Sequence, residues 1–241
     1  ILAGGTDVGL WVTKQHRQLG DIIYLGNVAG LATINESADA IDVGAAVTLT
    51  DAAVALVRRF PELDELLRRF SSPPIRNAGT LVGNVANGSP IGDSMPPLIA
   101  LGARVVLRHG AVRRELALED LYVAYQKTAL ESGEFVERVI VPARRPGLAF
   151  ATYKISKRFD QDISAVCAAF ALELDGSRIR SARVAFGGMA ATPKRALTCE
   201  RALAGRHWTD ATCAAAVAAL PRDYAPIADM RASAEYRLRV A

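Results

Sequence analysis

Two glycine-rich segments have the residue types that could hold a phosphate group. The first is "AGGTDVG", Ala3–Gly9, and the second is "GTLVGNVANGSPIGD", Gly79–Asp93. Glycine lets the backbone come close to an anion and point several N–H groups at it, and Thr6 adds a hydroxyl donor. Neither segment matches G-x-G-x-x-G after a strand, and no Gly-Lys-Ser/Thr follows to make a P-loop. Taken singly, each predicts either a nucleotide cradle or a tight turn.

Five side chains, three of them in the second segment, could contact such a ligand. Asp93, the only charge in the segment, could accept hydrogen bonds from ribose or ribityl hydroxyls, or could end a turn. Asn84 and Asn87 could bind a ligand or hydrogen-bond their own loop. Phe70 could stack on a flat ring or lie in the core. Lys154, in "YKISKRFDQDISAV", could neutralise phosphate or flavin charge, or could face solvent from a strand.

No catalytic or metal-binding constellation accompanies these segments. The three histidines lie in unrelated contexts, and the three cysteines, Cys167, Cys199 and Cys213, show no C-x-x-C spacing. An iron–sulfur or zinc site needs about four ligands, so these cysteines cannot form one alone. Their odd number disfavours a disulfide framework and favours a reducing cytoplasm. Any difficult chemistry is therefore expected to come from a cofactor.

Composition excludes several other classes of protein. The chain has 241 residues, is 51% hydrophobic and carries a net charge of +4. Its arginine pairs are interspersed with acids, so the clustered positive charge typical of nucleic-acid binding is missing. No stretch approaches the roughly 20 apolar residues that span a bilayer, and the first residues do not resemble a signal peptide. Because the chain opens on Ile1, within an apparent strand, we expect it to be a piece of something longer.

The hydrophobic pattern mixes strands and helices and divides the chain in two. In the first part we expect a helix at "DVGLWVTKQ", strands at "DIIYLG" and "AIDVGAAVT", two helices around Pro61, and a long loop at Gly79–Asp93. The Pro- and Gly-containing "ARRPG" predicts a boundary between residues 143 and 144. Beyond it we expect three antiparallel strands, with a hairpin turn at Asp175 and Gly176, followed by two helices. This is an α+β arrangement.

In combination the segments are more specific than any of them alone. "AGGTDV", "IRNAGTLVGNVANGSPIGD", "YKISKRFDQDISAV" and "AFGGMAATPKRA", in this order, resemble the FAD-binding subunit or domain of molybdenum hydroxylases over essentially the whole chain. "ANGSPIGD", "SKRFDQDISAV" and "DMRASAEYR" are most similar to the bacterial xanthine dehydrogenase branch. The resemblance implies a vanillyl-alcohol-oxidase (PCMH)-type FAD-binding domain of two lobes at 1–143, with its first lobe N-terminally incomplete. A smaller α+β domain of three antiparallel strands plus helices would follow at 144–241.

The resemblance also implies which residues hold FAD. The first segment would hold the pyrophosphate through Leu2, Ala3, Gly4, Gly5, Thr6, Asp7 and Val8. The second segment would contribute Thr80, Gly83, Asn84, Asn87, Ser89 and Asp93. Phe70 would lie near the adenine, Val136 would make an apolar contact, and Lys154 would lie close to the flavin ring. The segment Ile155–Ser164 would border the face that NAD approaches. Val82 stands where the family usually has glycine, and we expect it to hold the cofactor further off.

Electron transfer is the role that follows from this resemblance. Hypoxanthine and xanthine would be hydroxylated to urate at a molybdopterin centre on another subunit, with electrons passing through two [2Fe-2S] clusters to FAD and then to NAD. The partners would be a molybdopterin-binding large subunit and iron–sulfur domains, in a hetero-oligomer with two copies of each subunit, without nucleic acid or membrane. The alternatives are the FAD subunit of a carbon monoxide or aldehyde type of molybdenum hydroxylase, and a non-catalytic flavin-binding module.

Overall fold

The computed structural model describes all 241 residues. The helices are α1 (Val8–Thr13), α2 (Leu49–Arg59), α3 (Asp64–Arg69), α4 (Pro73–Ala78), α5 (Leu81–Asn87), α6 (Met95–Ala100), α7 (Leu197–Leu203), α8 (Asp210–Asp223) and α9 (Ala234–Val240). The strands are β1 (Ile34–Glu36), β2 (Ala40–Gly44), β3 (Arg104–His109), β4 (Val112–Ala117), β5 (Tyr122–Ala124), β6 (Lys127–Thr128), β7 (Phe135–Pro142), β8 (Leu148–Ile155), β9 (Val166–Asp175), β10 (Arg178–Gly187) and β11 (Lys194–Arg195).

The first domain is built on a five-stranded antiparallel sheet in the order β1-β2-β7-β3-β4. Side chains alternate across a strand, so Ile41 and Val43 of β2 point into the core while Asp42 between them is less buried. Helices α2, α5 and α6 share this core. Thr48 starts α2 by accepting a hydrogen bond from the backbone N–H of Asp51. The sheet therefore has one face covered by helices.

A four-stranded antiparallel sheet in the order β11-β10-β9-β8 forms the second domain. Its alternation directs one face of β8 towards the first domain: Phe150 joins the first core, and Thr152 donates to the carbonyl of Glu62. The opposite face packs on α7 and α8. On β9 the residues facing the first domain are small, including Ala169 and Ala171, which lets α6 lie close. Lys154, two residues beyond Thr152, is thus directed towards the first domain.

The predicted fold class is confirmed, with differences in local structure. The three predicted strands of the second domain are β8, β9 and β10, and the two-residue β11 adds a fourth. The predicted boundary, between residues 143 and 144, lies between the end of β7 and the start of β8. The strand predicted at "DIIYLG" is wrong, because Tyr24 makes only a single bridge, with Leu2. No helix has the length and apolar character required to cross a membrane.

The long loop predicted at Gly79–Asp93 is also wrong in its first half. Residues Leu81–Asn87 form helix α5, with Thr80 as its N-cap and Gly88 in a left-handed conformation at its end. The hydroxyl of Thr80 accepts from the N–H of Gly83 at 3.0 Å. Leu81 and Val82 are buried, and burial of this apolar face is what stabilises so short a helix.

Candidate functional site

The first glycine segment presents a row of unused hydrogen-bond donors. The five consecutive backbone N–H groups of residues 3–7 donate no hydrogen bond within the chain, and neither does the hydroxyl of Thr6. Leu2 anchors the row, because its N–H donates to Ile23 and its carbonyl accepts from Leu25, both at 2.8 Å. Gly5 adopts φ +72°, a left-handed conformation that favours glycine. Successive free N–H groups of this kind form a binding concavity for an anion.

The second glycine segment lies directly against the first. A Cβ on Gly4 would collide with the carbonyl of Ala78 and would lie 2.5 Å from the Cα of Gly79. The hydroxyl of Thr6 is 3.2 Å from the place where a Cβ on Gly79 would be. Only glycine therefore fits at Gly4, since an added side chain would meet backbone rather than a flexible group. Two segments far apart in the sequence form one backbone cradle.

Helix α5 connects this cradle to a buried polar group. Gly83 and Asn84 are half-buried in α5, and the side-chain carbonyl of Asn84 accepts from the hydroxyl of Ser94 at 2.6 Å. The side chain of Val82 is in the core, with 1% of its surface exposed. This side chain faces away from the exposed side of α5. The prediction that Val82 holds the cofactor further off therefore finds no support in the position of its side chain.

Asp93, Lys154 and Ser164 form the buried polar group. The ammonium of Lys154 donates to Oδ2 of Asp93 at 2.5 Å, to the hydroxyl of Ser164 at 2.8 Å and to the carbonyl of Asp162 at 2.8 Å. Ser164 donates to Oδ1 of Asp93 at 2.6 Å. All three ammonium hydrogens have acceptors. The side chain of Lys154 is 1% exposed and that of Asp93 is 3% exposed. The group joins the two domains, because Asp93 belongs to the first and Lys154 and Ser164 to the second.

Cys167 lies beside this buried group without adding reactivity to it. Its thiol is within hydrogen-bonding reach of the carbonyl of Asp93, at 3.7 Å. Burial raises the pKa of Cys167 well above its usual value, and the negative charge of Asp93 adds to the effect against the opposing charge of Lys154. The thiol therefore stays protonated near neutral pH, and a thiolate nucleophile is not expected here.

Phe70 follows α3 in a turn that an arginine supports. Ser71 has φ +61°, which is uncommon for a residue other than glycine. Nη1 of Arg76, on α4, donates to the carbonyls of Phe70 and Ser71, both at 2.8 Å, and to that of Arg68 at 3.0 Å. The Phe70 ring is half-buried and packs against the first core. Arg76 thus connects the turn at Phe70 to the helix that leads into Gly79.

The remaining predicted residues are dispersed around these features. Asp7 and Asn87 are exposed, while Val8 and Ser89 are half-buried. Val136 is in the first core, with 4% of its surface exposed. The sequence predicted no individual contacts for Arg76, Ser94 or Ser164, since an arginine or a serine carries no signal of its partners before the fold is known.

Comparison with known proteins identifies the class of protein that this fold and site define. Residues 1–144 match the family described as the FAD binding domain in molybdopterin dehydrogenase. Residues 151–241 match the C-terminal domain of the carbon monoxide dehydrogenase flavoprotein. The chain therefore belongs to the FAD-binding flavoproteins of the molybdopterin dehydrogenase family.

Individual relatives come from several branches of that family. The chain is 30% identical to nicotinate hydroxylase of Emericella nidulans over 87% of its own length, but spans 17% of that much longer protein. It is 28% identical to the xanthine dehydrogenase FAD-binding subunit of Escherichia coli O157:H7, covering all of this chain and 84% of that one. A solved carbon monoxide dehydrogenase from Hydrogenophaga pseudoflava superposes with a TM-score of 0.93 at 27% identity, over 100% of this chain and 84% of that one.

Proposed function

We propose that this chain is the FAD-carrying part of a xanthine dehydrogenase, which passes electrons from [2Fe-2S] clusters on other domains through FAD to NAD. The observation that carries the proposal is the cradle of free N–H groups at residues 3–7, closed on one side by Gly79. Such a cradle suits a pyrophosphate, because each N–H can donate to an anionic oxygen. When bound, FAD would supply the exchange between single electrons from the clusters and a hydride delivered to NAD.

The protein's own residues would hold the cofactor at two places. Backbone groups of residues 3–7 and the hydroxyl of Thr6 would bind the pyrophosphate, with Leu2 and Val8 beside them. Thr80, Gly83, Asn84, Asn87 and Ser89 would line the second side.

Asp93 and Lys154 have a different geometry. Because every hydrogen of the Lys154 ammonium already has an acceptor, this residue would act on the flavin as the positive end of its ion pair with Asp93 rather than as a donor. Asp93 has both oxygens occupied within the protein. Its remaining lone pairs are the groups that could meet a ribityl hydroxyl. Phe70 would lie near the adenine, and Val136 would make its apolar contact from within the first core.

The acceptor side of the site would be bordered by Ile155–Ser164. This loop carries the exposed cation Lys157 and also Arg158, which is paired with Asp162, and an exposed cation suits a phosphate of NAD. We propose NAD as the acceptor on this basis and on the similarity of "SKRFDQDISAV" to the xanthine dehydrogenase branch.

The choice of purine substrate rests on the branch-specific segments. A second candidate is the flavoprotein of a carbon monoxide dehydrogenase, which is favoured by the match of residues 151–241 and by the structural likeness. Either way the substrate would be oxidised on a molybdopterin-binding large subunit. Iron–sulfur domains would connect that large subunit to this chain. The assembly would contain two copies of each subunit and would lie in the cytoplasm.

The first test is whether the purified protein contains FAD that NADH reduces under anaerobic conditions. Bleaching of the flavin absorption by NADH would support the proposed acceptor. A protein that takes up no FAD would contradict the proposal. The protein purified with its partners would then be given hypoxanthine or carbon monoxide. Urate formation supports the xanthine type, and flavin reduction by carbon monoxide alone supports the second candidate.

A further inference from the structure

Arg237, on the C-terminal helix α9, is the largest fully buried side chain of the protein. Its Nη1 donates to the carbonyls of Ala165 and Gly188, at 2.6 and 2.7 Å. Its Nη2 donates to Oδ1 of Asp229 at 2.8 Å. One guanidinium therefore ties together the start of β9, the end of β10 and the segment that precedes α9.

Both carbonyls belong to segments that reach the candidate site. Ala165 directly follows Ser164, which donates to Asp93. The N–H of Gly188 donates to the carbonyl of Pro90 at 2.8 Å, and Pro90 lies in the loop between α5 and Asp93. Gly188 has φ +81°, and a Cβ there would collide with the carbonyl of Ala165. The two strand ends are thus in close contact, and the guanidinium holds them at that separation.

Stability alone does not account for an arginine at this position. Nε of Arg237 is buried and has no hydrogen-bond partner. An unsatisfied buried donor costs free energy, and apolar residues often replace a buried ion pair without loss of stability. What an apolar side chain cannot provide is a planar, rigid set of donors that fixes two carbonyl oxygens relative to each other. The geometry therefore suits a residue that positions its neighbours.

Asp229 orients this guanidinium. Partial burial raises the pKa of Asp229, but the N–H groups of Arg231 and Ala232 and the charge of Arg237 outweigh it and lower the pKa to about 2. The carboxylate is therefore ionised whenever the protein is near neutral pH. The same segment touches the loop at the acceptor side, because Lys157 donates to the carbonyl of Met230 at 2.8 Å.

We propose that Arg237 is a positioning residue of the cofactor site, acting through Ala165 and Gly188 to set the places of Ser164 and Pro90. These in turn orient the ion pair of Asp93 and Lys154. The inference rests on the proposed function, since it takes FAD to lie beside that pair.

The test compares Arg237→Met with Arg239→Met in the intact protein. Arg239 is exposed on the same helix and serves as the matched control. FAD affinity is measured after removal and return of the cofactor, and visible circular dichroism at saturating FAD reports the surroundings of the flavin ring. We expect Arg237→Met to weaken FAD binding about tenfold or more and to change the dichroism, because all three charge-assisted hydrogen bonds of the guanidinium are lost. Arg239→Met should change neither.

A merely structural role would lower the unfolding temperature and leave the dichroism at saturating FAD unchanged, and that result would overturn the inference. If Arg237→Met does not fold, Asp229→Asn replaces it, since this variant keeps both carbonyl contacts and only exchanges the charged acceptor of Nη2 for a neutral one. It should change the dichroism in the same direction by a smaller amount, and an unchanged spectrum would again overturn the inference. Failure of the unaltered protein to bind FAD is a separate result, which contradicts the proposed function itself.

Discussion

The two halves of the candidate site differ in whether their hydrogen-bonding groups have partners within the protein. Residues 3–6 are half-exposed and Asp7 is exposed, and the backbone donors of all five have no partner in the protein. At Asp93 and Lys154 the side chains are buried and each charge is compensated within the protein. The cradle is therefore incomplete without a ligand, whereas the ion pair is complete without one.

This difference separates binding from positioning. Donors in contact with water exchange it for the charged oxygens of an anion, and such charge-assisted hydrogen bonds are the stronger ones, so the cradle should supply affinity. A compensated pair in the interior contributes little net stability, yet removing one member leaves a costly unpaired charge. The pair should therefore decide how the two domains meet and what electrostatic field a bound flavin experiences. Substitutions in the two regions should have effects of different kinds.

The largest effect is expected for Lys154→Met, because it leaves the carboxylate of Asp93 buried without its cation. We expect the free energy of unfolding to fall by about 3–5 kcal/mol. Urea unfolding of the FAD-free protein measures this. The double variant Asp93→Asn with Lys154→Met should recover much of the loss, since no isolated charge remains.

Arg68→Met is the matched control for that prediction. Arg68 forms an exposed ion pair with Asp64 at 2.8 Å, and such pairs contribute no more than about 1 kcal/mol. If Lys154→Met were as mild as Arg68→Met, the ion pair would not be the structural connection between the domains.

The next effect should be on binding rather than stability. Gly4→Val would place a side chain against the carbonyl of Ala78 and displace the two glycine segments from each other. Because this displacement would open the cradle, we expect FAD affinity to fall about 10- to 100-fold. Equilibrium titration with FAD measures it. Gly9→Ala is the control, since a Cβ on Gly9 meets nothing within 4 Å, and equal losses in both variants would contradict the cradle.

A smaller loss of affinity is expected for Thr6→Val, which removes one hydroxyl donor and keeps the shape. One hydrogen bond of this kind is worth about 1 kcal/mol, so FAD should bind about fivefold more weakly. Thr13→Val provides the comparison, because the hydroxyl of Thr13 donates to the carbonyl of Gly9 and lies outside the cradle. No difference between the two variants would exclude Thr6 from binding.

The smallest expected effect is on the stability of the folded state at acid pH, through the carboxylate of Asp229. The pKa of Asp229 is lowered from 3.8 to about 2, so its ionised form stabilises the folded state above pH 4. That contribution is lost as the pH falls from about 4 to about 2. Solvent screening should limit it to about 1 kcal/mol or less. Asp229→Asn should therefore show a shallower loss of stability over this range in acid-dependent unfolding, and an identical profile would contradict the assignment.

Local patterns predicted much of the fold because they report local physics. The apolar run of β9 and the turn at Asp175 and Gly176 are local signals, because such a run favours a buried strand and glycine allows the conformation of the turn. The errors lie where tertiary contacts override such preferences. Helix α5 contains a glycine and two asparagines, which disfavour a helix, yet burial of Leu81, Val82 and Val85 stabilises it.

By itself, the sequence determined the two glycine segments and the resemblance to molybdenum hydroxylase flavoproteins. Glycine and small polar residues are a composition that backbone binding of a phosphate requires, so they are visible without a structure. Only the tertiary structure decided that Gly4 lies against Gly79, that Asp93 forms its ion pair with Lys154, and that Arg237 binds the carbonyls of Ala165 and Gly188. Those contacts join residues from about 50 to 75 positions apart, and no local pattern specifies which distant partner a charge will meet.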